Sequence, residues 1–497
     1  MLWQDVHLVS IGNTVAVKGE AMHHRTWRRL GAAAAFVALT TVAVGCGSDG
    51  NSSASSSSTT KAESTGGGEG TTITVPGDYK TIQEAVDAAK AGDLVLISEG
   101  TYEEAVDVTT ADITIRGVDR NKVILDGGFE LENGIRVLDT DGVTVQNMTA
   151  RNYVSNGFFW TGSDRYHGSY LTAYRNGDYG IYAFDAYHGQ LDNSLGSGSP
   201  DAGFYIGECF ECDAVIDTVV SEHNGLGYSG TNSGGELYII NSTFRYNRAG
   251  IVPNSGSYEL CYPGRSNTIV GNTVYDNNND EAPAIDVALL AQGNGILMAG
   301  SINNQVERNL VYDHDRTGIA AVPFPEEDAS DVVPPASELE TPCEETRDDE
   351  LPAEGDIPDI VMWNATGNSV IGNDVSGSGL ADLASGTIAL DDESATTADL
   401  DNCFSDNVFT TTAPADLEQL APCEGDGNGG DFEKDGLDLL VLINEQAPAP
   451  AKDTYKSTPE PEAQENMPDA ETAPAPIFQG PEKPDVDAIK VPTKPSN

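Results

Sequence analysis

Residues Leu191–Phe244 read LDNSLGSGSPDAGFYIGECFECDAVIDTVVSEHNGLGYSGTNSGGELYIINSTF. Three short β-rich segments inside it, LDNS, VIDTVV and YIINSTF, carry polar residues at Asn193, Asp217 and Asn241, successive members 24 residues apart. Similar segments recur at Asn272 (VGNTVY), Asn309 (VERNLVY) and Asn373 (VIGNDV), and Asn147 (VQNMTA) precedes them. A second marker is a glycine followed by an apolar or aromatic residue, as in Gly157-Phe158, Gly180-Ile181, Gly203-Phe204, Gly250-Ile251, Gly295-Ile296 and Gly318-Ile319. Several of these pairs are 23 residues apart.

A period of 23 to 24 residues with strand-like triplets, Asn and Gly turns and little helical periodicity has one good physical solution. Each repeat is a coil of short strands, and coils stack at the strand spacing of roughly 4.8 Å. Equivalent side chains then form ladders, in which asparagine amides are satisfied by the coils above and below. A leucine-rich repeat would show regular leucines, and a propeller blade needs about 40 residues or more. The expected fold is therefore all-β: a single-stranded right-handed parallel β-helix, a solenoid whose units touch only their neighbours.

The solenoid is expected over 71–430. TIQEAVDAAKAGD offers Thr81 as N-cap with Glu84 three residues on, and Ile82, Ala85, Val86 and Ala89 share one helical face. A short helix there would cap the first coil, whose strand edges are otherwise unpaired. The stretch GDYKTIQEAVDAAKAGDLVLISEGTYEE resembles the opening of the pectin lyase-like superfamily, including pectin methylesterases. That resemblance implies the same right-handed β-helix. The methylesterases' Gln- and Asp-bearing motifs and Arg-Pro-Trp segment are missing, which argues against their activity. An acidic, Pro-rich stretch at 325–358 reads as a loop extruded between coils. The Pro-, Ala- and Glu-rich segment 431–497 is expected to be largely disordered.

Residues 1–45 read as a signal segment, with Met22 the more natural start. MHHRTWRRL supplies a basic n-region, and the apolar run GAAAAFVALTTVAV is too short for a permanent membrane span. The run ends in AVGC, which resembles the bacterial lipobox. That resemblance implies lipidation of Cys46, a Ser/Gly tether over 46–70, and a protein exported and anchored to the outer face of the cell membrane. An ordinary cleaved signal and a twin-arginine signal at Arg28-Arg29 are the alternatives. The formal net charge of −53 excludes nucleic acid as a partner and leaves the lipid anchor as the one contact with membrane. Six cysteines remain, an even number that favours disulfides outside the cytoplasm. Cys209 with Cys212 and Cys403 with Cys423 are the local pairings, leaving Cys261 with Cys343.

Uronate lyases and epimerases remove a proton alpha to a carboxylate, so they need a base, an acid and something to neutralise that carboxylate. YAFDAYH, residues 182–188, offers Tyr182, Asp185 and His188, with Arg175 just before it. This stretch resembles the catalytic segment of the mannuronan C-5-epimerases, Tyr-Gly-Phe-Asp-Pro-His. The resemblance implies acid or base work for Tyr182, a supporting carboxylate at Asp185 and a second proton-transfer group at His188. Here Ala186-Tyr187 replaces the single proline and sets the histidine one place along. Asp185 and Glu208 each lie five residues after a marker glycine, which stacks the two carboxylates on neighbouring coils. Such a pair needs a shared proton or a cation, and Ca²⁺ is the one candidate cofactor. A second cluster, Asp313-His314-Asp315-Arg316, falls in the turn column with Asn247. Aromatic residues crowd the segment from Tyr153 to Tyr262 and could either line an outer face for sugar stacking or fill the coil.

Two functions remain. One is a surface protein that binds, and eliminates or epimerises, an extracellular polysaccharide. The other is a non-catalytic structural, adhesive or metal-handling solenoid. The chain as a whole resembles secreted bacterial right-handed β-helix repeat proteins. Its oligomeric state is not readable from sequence.

Overall fold

The computed structural model describes residues 70–327, 329, 343, 360–386, 400–425 and 446–495. The signal segment, Cys46, the tether and most of the 325–358 insertion lie outside the described residues. From Thr72 to Ala413 the chain winds as a right-handed parallel β-helix. Sheet A holds 20 strands and sheet B 11, with most coils giving two short strands to A and one to B. Neighbouring coils pair in parallel register, so that Tyr182 lies beside both Phe159 and Tyr205. One continuous core runs through the stack, with Ile181, Phe204, Tyr228, Ile251, Ile296 and Ile319 wholly buried.

Asparagine amides tie the coils together at three corners. In one file Asn272, Asn309 and Asn373 each take the backbone N–H of the preceding member through Oδ1, and Asn407 takes that of Asn373. The side-chain Nδ2 of each donates in turn to a core-strand carbonyl, as from Asn309 to Ile269 at 2.9 Å. Parallel files run Asn267–Asn304–Asn368–Asn402 and Asn224–Asn247–Asn277. The 24-residue marker merges two adjacent columns. Asn147, Asn193 and Asn241 occupy a corner in left-handed backbone, with φ of 56°, 48° and 50°. Asn272, Asn309 and Asn373 belong to the inner file one position later, where earlier coils carry Ser194 and Ser242. Asp217 stands one residue before its corner, which Thr218 occupies at φ 56°. The glycine marker has a simple cause: a Cβ at Gly180 would come within 2.6 Å of the Gly203 carbonyl on the next coil.

Both ends are closed. The helix Ile82–Ala88 is capped by Thr81, whose side chain accepts from Glu84 N at 3.1 Å, and it buries Ile82, Ala85 and Val86. At the far end Glu418, in the short helix Leu417–Leu420, accepts both the backbone and side-chain N–H of Asn407. A carboxylate thus ends the amide file after the last coil among the described residues. Disulfides join Cys209–Cys212, Cys261–Cys343 and Cys403–Cys423. The insertion leaves the solenoid on a two-stranded antiparallel stem, Phe324–Glu327 against Ile360–Trp363.

The composition of 431–497 points to disorder, and the structure corrects this for its described part. Residues 446–495 form a strap that lies along the solenoid, running toward the first coils and back again. Arg175 donates to Thr458 O, Arg116 to Ala473 O and Pro474 O, and Arg308 to Val486 O and Ile489 O. The reason is packing. Val215, Tyr238, Ile240 and Val270 form an apolar patch outside the core, which Val486 and Ile489 cover. Tyr455 is buried against Phe129, and Phe478 stacks on His167 at 4.7 Å. A few apolar anchors spaced through a Pro-rich frame suffice to dock it.

Asn309→Ala would orphan the Asn272 N–H and the Ile269 carbonyl while opening a void. Urea unfolding should show a loss of about 2–4 kcal/mol, from unsatisfied buried polar groups and the lost ladder. A loss under ~0.5 kcal/mol would mean that the files do not hold the stack.

Candidate functional site

Along each strand of sheet B side chains alternate between the coil interior and the outer face. Phe158, Trp160, Phe204 and Tyr228 point inward and pack in the core. Phe159, Tyr182 and Tyr205 occupy the alternate positions, in register on successive coils, and form a separate cluster with Phe184. Aromatic residues therefore both fill the coil and line a face. Ring centroids lie 4.7 Å apart for Phe159–Tyr182 and 4.8 Å for Tyr182–Tyr205, and Tyr179 stacks on Tyr182 at 4.3 Å.

Carboxyl groups meet these tyrosines from two sides. Tyr179 Oη donates to Asp201 Oδ2 at 2.7 Å. Tyr205 Oη lies 2.6 and 2.7 Å from the two carboxyl oxygens of Glu259. Glu259 sits in the loop between the strands Ala249–Asn254 and Arg265–Val270. Asn232 holds that loop through Nδ2 to the Gly256 and Glu259 carbonyls. Buried Glu326 anchors it from the insertion stem, accepting from Ser257 N and from Trp363 Nε1. The Cys261–Cys343 disulfide ties the same loop to the insertion.

Burial, then the charges of Asp286 and Asp178, push the Asp201 carboxyl well above the usual range. Burial and neighbouring Glu208 do the same for Glu259. Tyr179, Tyr182 and Tyr205 are pushed up by burial first and nearby carboxylates second. The environment thus favours proton-bearing forms throughout, and the arrangement is a set of hydrogen-bond and proton donors rather than a phenolate base. The outer-face ladder continues through Ser229, Val252, Leu297 and Ala320. Between the segment Asp286–Leu289 and Phe324–Pro325 it opens into a small cleft of about 50 Å³, bordered by Asn294, Arg316 and Thr317.

The residues singled out from sequence do not converge. Tyr182 is on the outer face of sheet B. Asp185 and Glu208 follow the register pair Phe184 and Gly207 into the adjoining corner, both buried and both at φ 50°. Glu208 accepts from Leu260 N at 3.2 Å. His188 is exposed at the next corner, its Nδ1 2.5 Å from Asp164 and its Nε2 3.7 Å from Asp213. Arg175 follows the sheet A strand His167–Tyr174 and is held by the strap, whereas Tyr182 lies on sheet B. It cannot neutralise a carboxylate at Tyr182 from there. Among the described residues no group of three or more His, Cys, Asp or Glu is placed to hold a metal ion.

Asp201 and Glu259 escape the sequence reading because SPDAG and SYELC carry no repeat signal and the fold alone brings them to the tyrosines. The Asp313–Arg316 cluster resolves differently. His314 replaces an asparagine at the end of an amide file, its Nε2 3.2 Å from Asn277 Nδ2. Burial pushes its pKa down to about 3. An unfolded histidine titrates near 6.5, so stability is full above that pH and is lost progressively as pH falls toward 3. Relative to His314→Asn, the wild type should lose about 1.4 kcal/mol per pH unit between pH 6 and 4 in urea titrations. A difference independent of pH would contradict this assignment.

A family model described as "Right handed beta helix region" matches residues 156–323. Among curated proteins, none matches this chain. Solved structures of similar fold include the A-module of the mannuronan C-5 epimerase AlgE4 from Azotobacter vinelandii, at 14% identity over 70% of this chain and 94% of that one, TM-score 0.44. An alginate lyase from Paenibacillus sp. str. FPU-7 is 16% identical over 64% and 99%, TM-score 0.35. The periplasmic alginate epimerase AlgG is 13% identical over 64% and 62%, TM-score 0.32. These likenesses are of fold alone.

Proposed function

We propose that the outer face of sheet B binds an extended extracellular polysaccharide. Tyr179, Tyr182 and Tyr205 would stack against sugar faces, and Asp201 and Glu259 would donate hydrogen bonds at the two edges. The single observation that carries this reading is the in-register outer aromatic ladder whose tyrosines donate to two buried carboxyls, Asp201 and Glu259. Burial pushes both carboxyls toward the neutral acid, which would lessen their repulsion of a uronate despite the scarcity of basic groups on this face. The same donors suit proton transfer during elimination or epimerisation. One observation favours a purely structural solenoid: Tyr182 is only 6% exposed and Tyr205 is fully covered, so stacking on a sugar requires the loop that carries Glu259 to move aside.

A glycan panel with and without Ca²⁺ separates the two. Calorimetry reads binding, ultraviolet absorbance reads unsaturated uronates, and NMR reads epimerised residues. Binding that weakens ~10-fold or more in Tyr182→Ala supports the site, since losing a stacking ring and its neighbours' packing costs about 1.4 kcal/mol or more. Product formation that disappears in Glu259→Gln supports catalysis. Binding without product assigns a non-catalytic receptor, and no binding by any glycan overturns the proposal.

We further propose export and anchoring through a lipid on Cys46, supported by the apolar run and AVGC in the sequence. Cys46→Ala should leave the protein unlabelled by radioactive palmitate and move it from the membrane fraction. Unchanged membrane recovery would overturn the anchor.

A further inference from the structure

The strap's first arm, Thr458–Pro474, lies over three arginines that lack a carboxylate partner. Arg116 donates to Gln146 Oε1 and to the strap carbonyls of Ala473 and Pro474, at 3.0, 2.7 and 3.1 Å. Arg120 donates to Thr172 Oγ1 at 2.7 Å, to the Leu171 and Asn193 carbonyls and to Glu465 O on the strap. Arg175 donates to Thr458 O at 2.6 Å and sits over the Tyr174 ring. Among the described residues none of the three forms an ion pair, in a chain with 79 acidic residues. Only carbonyls and other neutral acceptors meet them, so their charge is not compensated by an anion at hydrogen-bond distance.

The arm itself is TPEPEAQENMPDAETAP, irregular up to Met467 and then turning at Asp469, and it carries Glu460, Glu462, Glu465, Asp469 and Glu471, all exposed. An acidic segment of chain therefore already lies on this basic groove, yet offers the arginines carbonyls and not its carboxylates. Charge-assisted hydrogen bonds to carboxylate or sulfate are roughly twice as strong as those to neutral acceptors. Besides these arginine contacts further hydrogen bonds hold the arm, one of them from Arg120 N to Asn466 Oδ1. Gln464 exchanges two bonds with Asn121, and Met467 N donates to Asn147 Oδ1 at 2.9 Å. Beyond Pro474 the second arm is pinned by Val486 and Ile489.

We propose that this groove on the outer face of sheet A is a binding site for a polyanionic polysaccharide, with the strap's first arm as its built-in competitor. A polyanion would take the guanidinium groups from the strap carbonyls and lift the arm while the second arm stays docked. This site is separate from the tyrosine face of sheet B and does not rest on it.

The test is hydrogen–deuterium exchange on the full chain, with oligogalacturonate as the probe. Peptides covering 458–474 should exchange at least tenfold faster at saturating oligogalacturonate, whereas those covering 484–492 should not change. A neutral glucan, or sodium chloride at matched ionic strength, should have no such effect. Arg175→Gln, at the edge of the groove, should raise the oligogalacturonate concentration needed, and Glu460→Gln with Glu462→Gln should lower it. Tyr182→Ala should leave the response intact, which separates this site from the one on sheet B. Unchanged protection of 458–474, or equal loosening by matched salt, overturns the proposal and leaves the strap a structural brace.

Discussion

The structure depends on one repeated interaction: an asparagine amide that serves two coils at once. Its Oδ1 accepts the N–H groups of the preceding coil's file member, and its Nδ2 donates into a core strand, as at Asn309 and Asn373. Strand pairing alone does not satisfy the corners, where the backbone turns through left-handed φ and leaves the ladder. The amide files fill that gap and fix the register between coils. A one-residue slip would send every outer residue of sheet B inward. The tyrosine face, the loops that meet it and the groove beneath the strap all inherit their positions from these files.

The two faces differ in chemistry. Sheet B presents rings and buried carboxyls, with Tyr179, Tyr182 and Tyr205 beside Asp201 and Glu259. Sheet A presents arginines and apolar side chains, both covered by residues 446–495. Formal net charge hides this division. A chain of −53 still gathers a row of guanidinium groups under one arm of its own C-terminal segment.

Much of the fold was legible in sequence because periodicity is a local signal. The glycines had to recur where a Cβ would strike the next coil, and the helix at Ile82 announced itself through Thr81 and Glu84. The strap was not legible, because its Pro-rich composition masks single anchors such as Ile489 and because Val215 and Ile240 read as ordinary strand residues. The candidate site was half legible. Tyr182 stands out among the aromatics, whereas Asp201 and Glu259 lie in irregular loops whose placement only the folded chain reveals. Arg175 was near Tyr182 in sequence but left on a different sheet, since a few residues in a coil are enough to turn a corner.

The central claim about the sheet B face is that burial pushes its two tyrosine-bonded carboxyls toward the proton-bearing form. Isotope-edited infrared spectroscopy at pH 7 measures this directly, through the C=O stretch of a protonated carboxylic acid. The account predicts that band in the wild type, with separate components lost in Asp201→Asn and in Glu259→Gln. Its absence in the wild type, with only carboxylate bands present, would contradict the account.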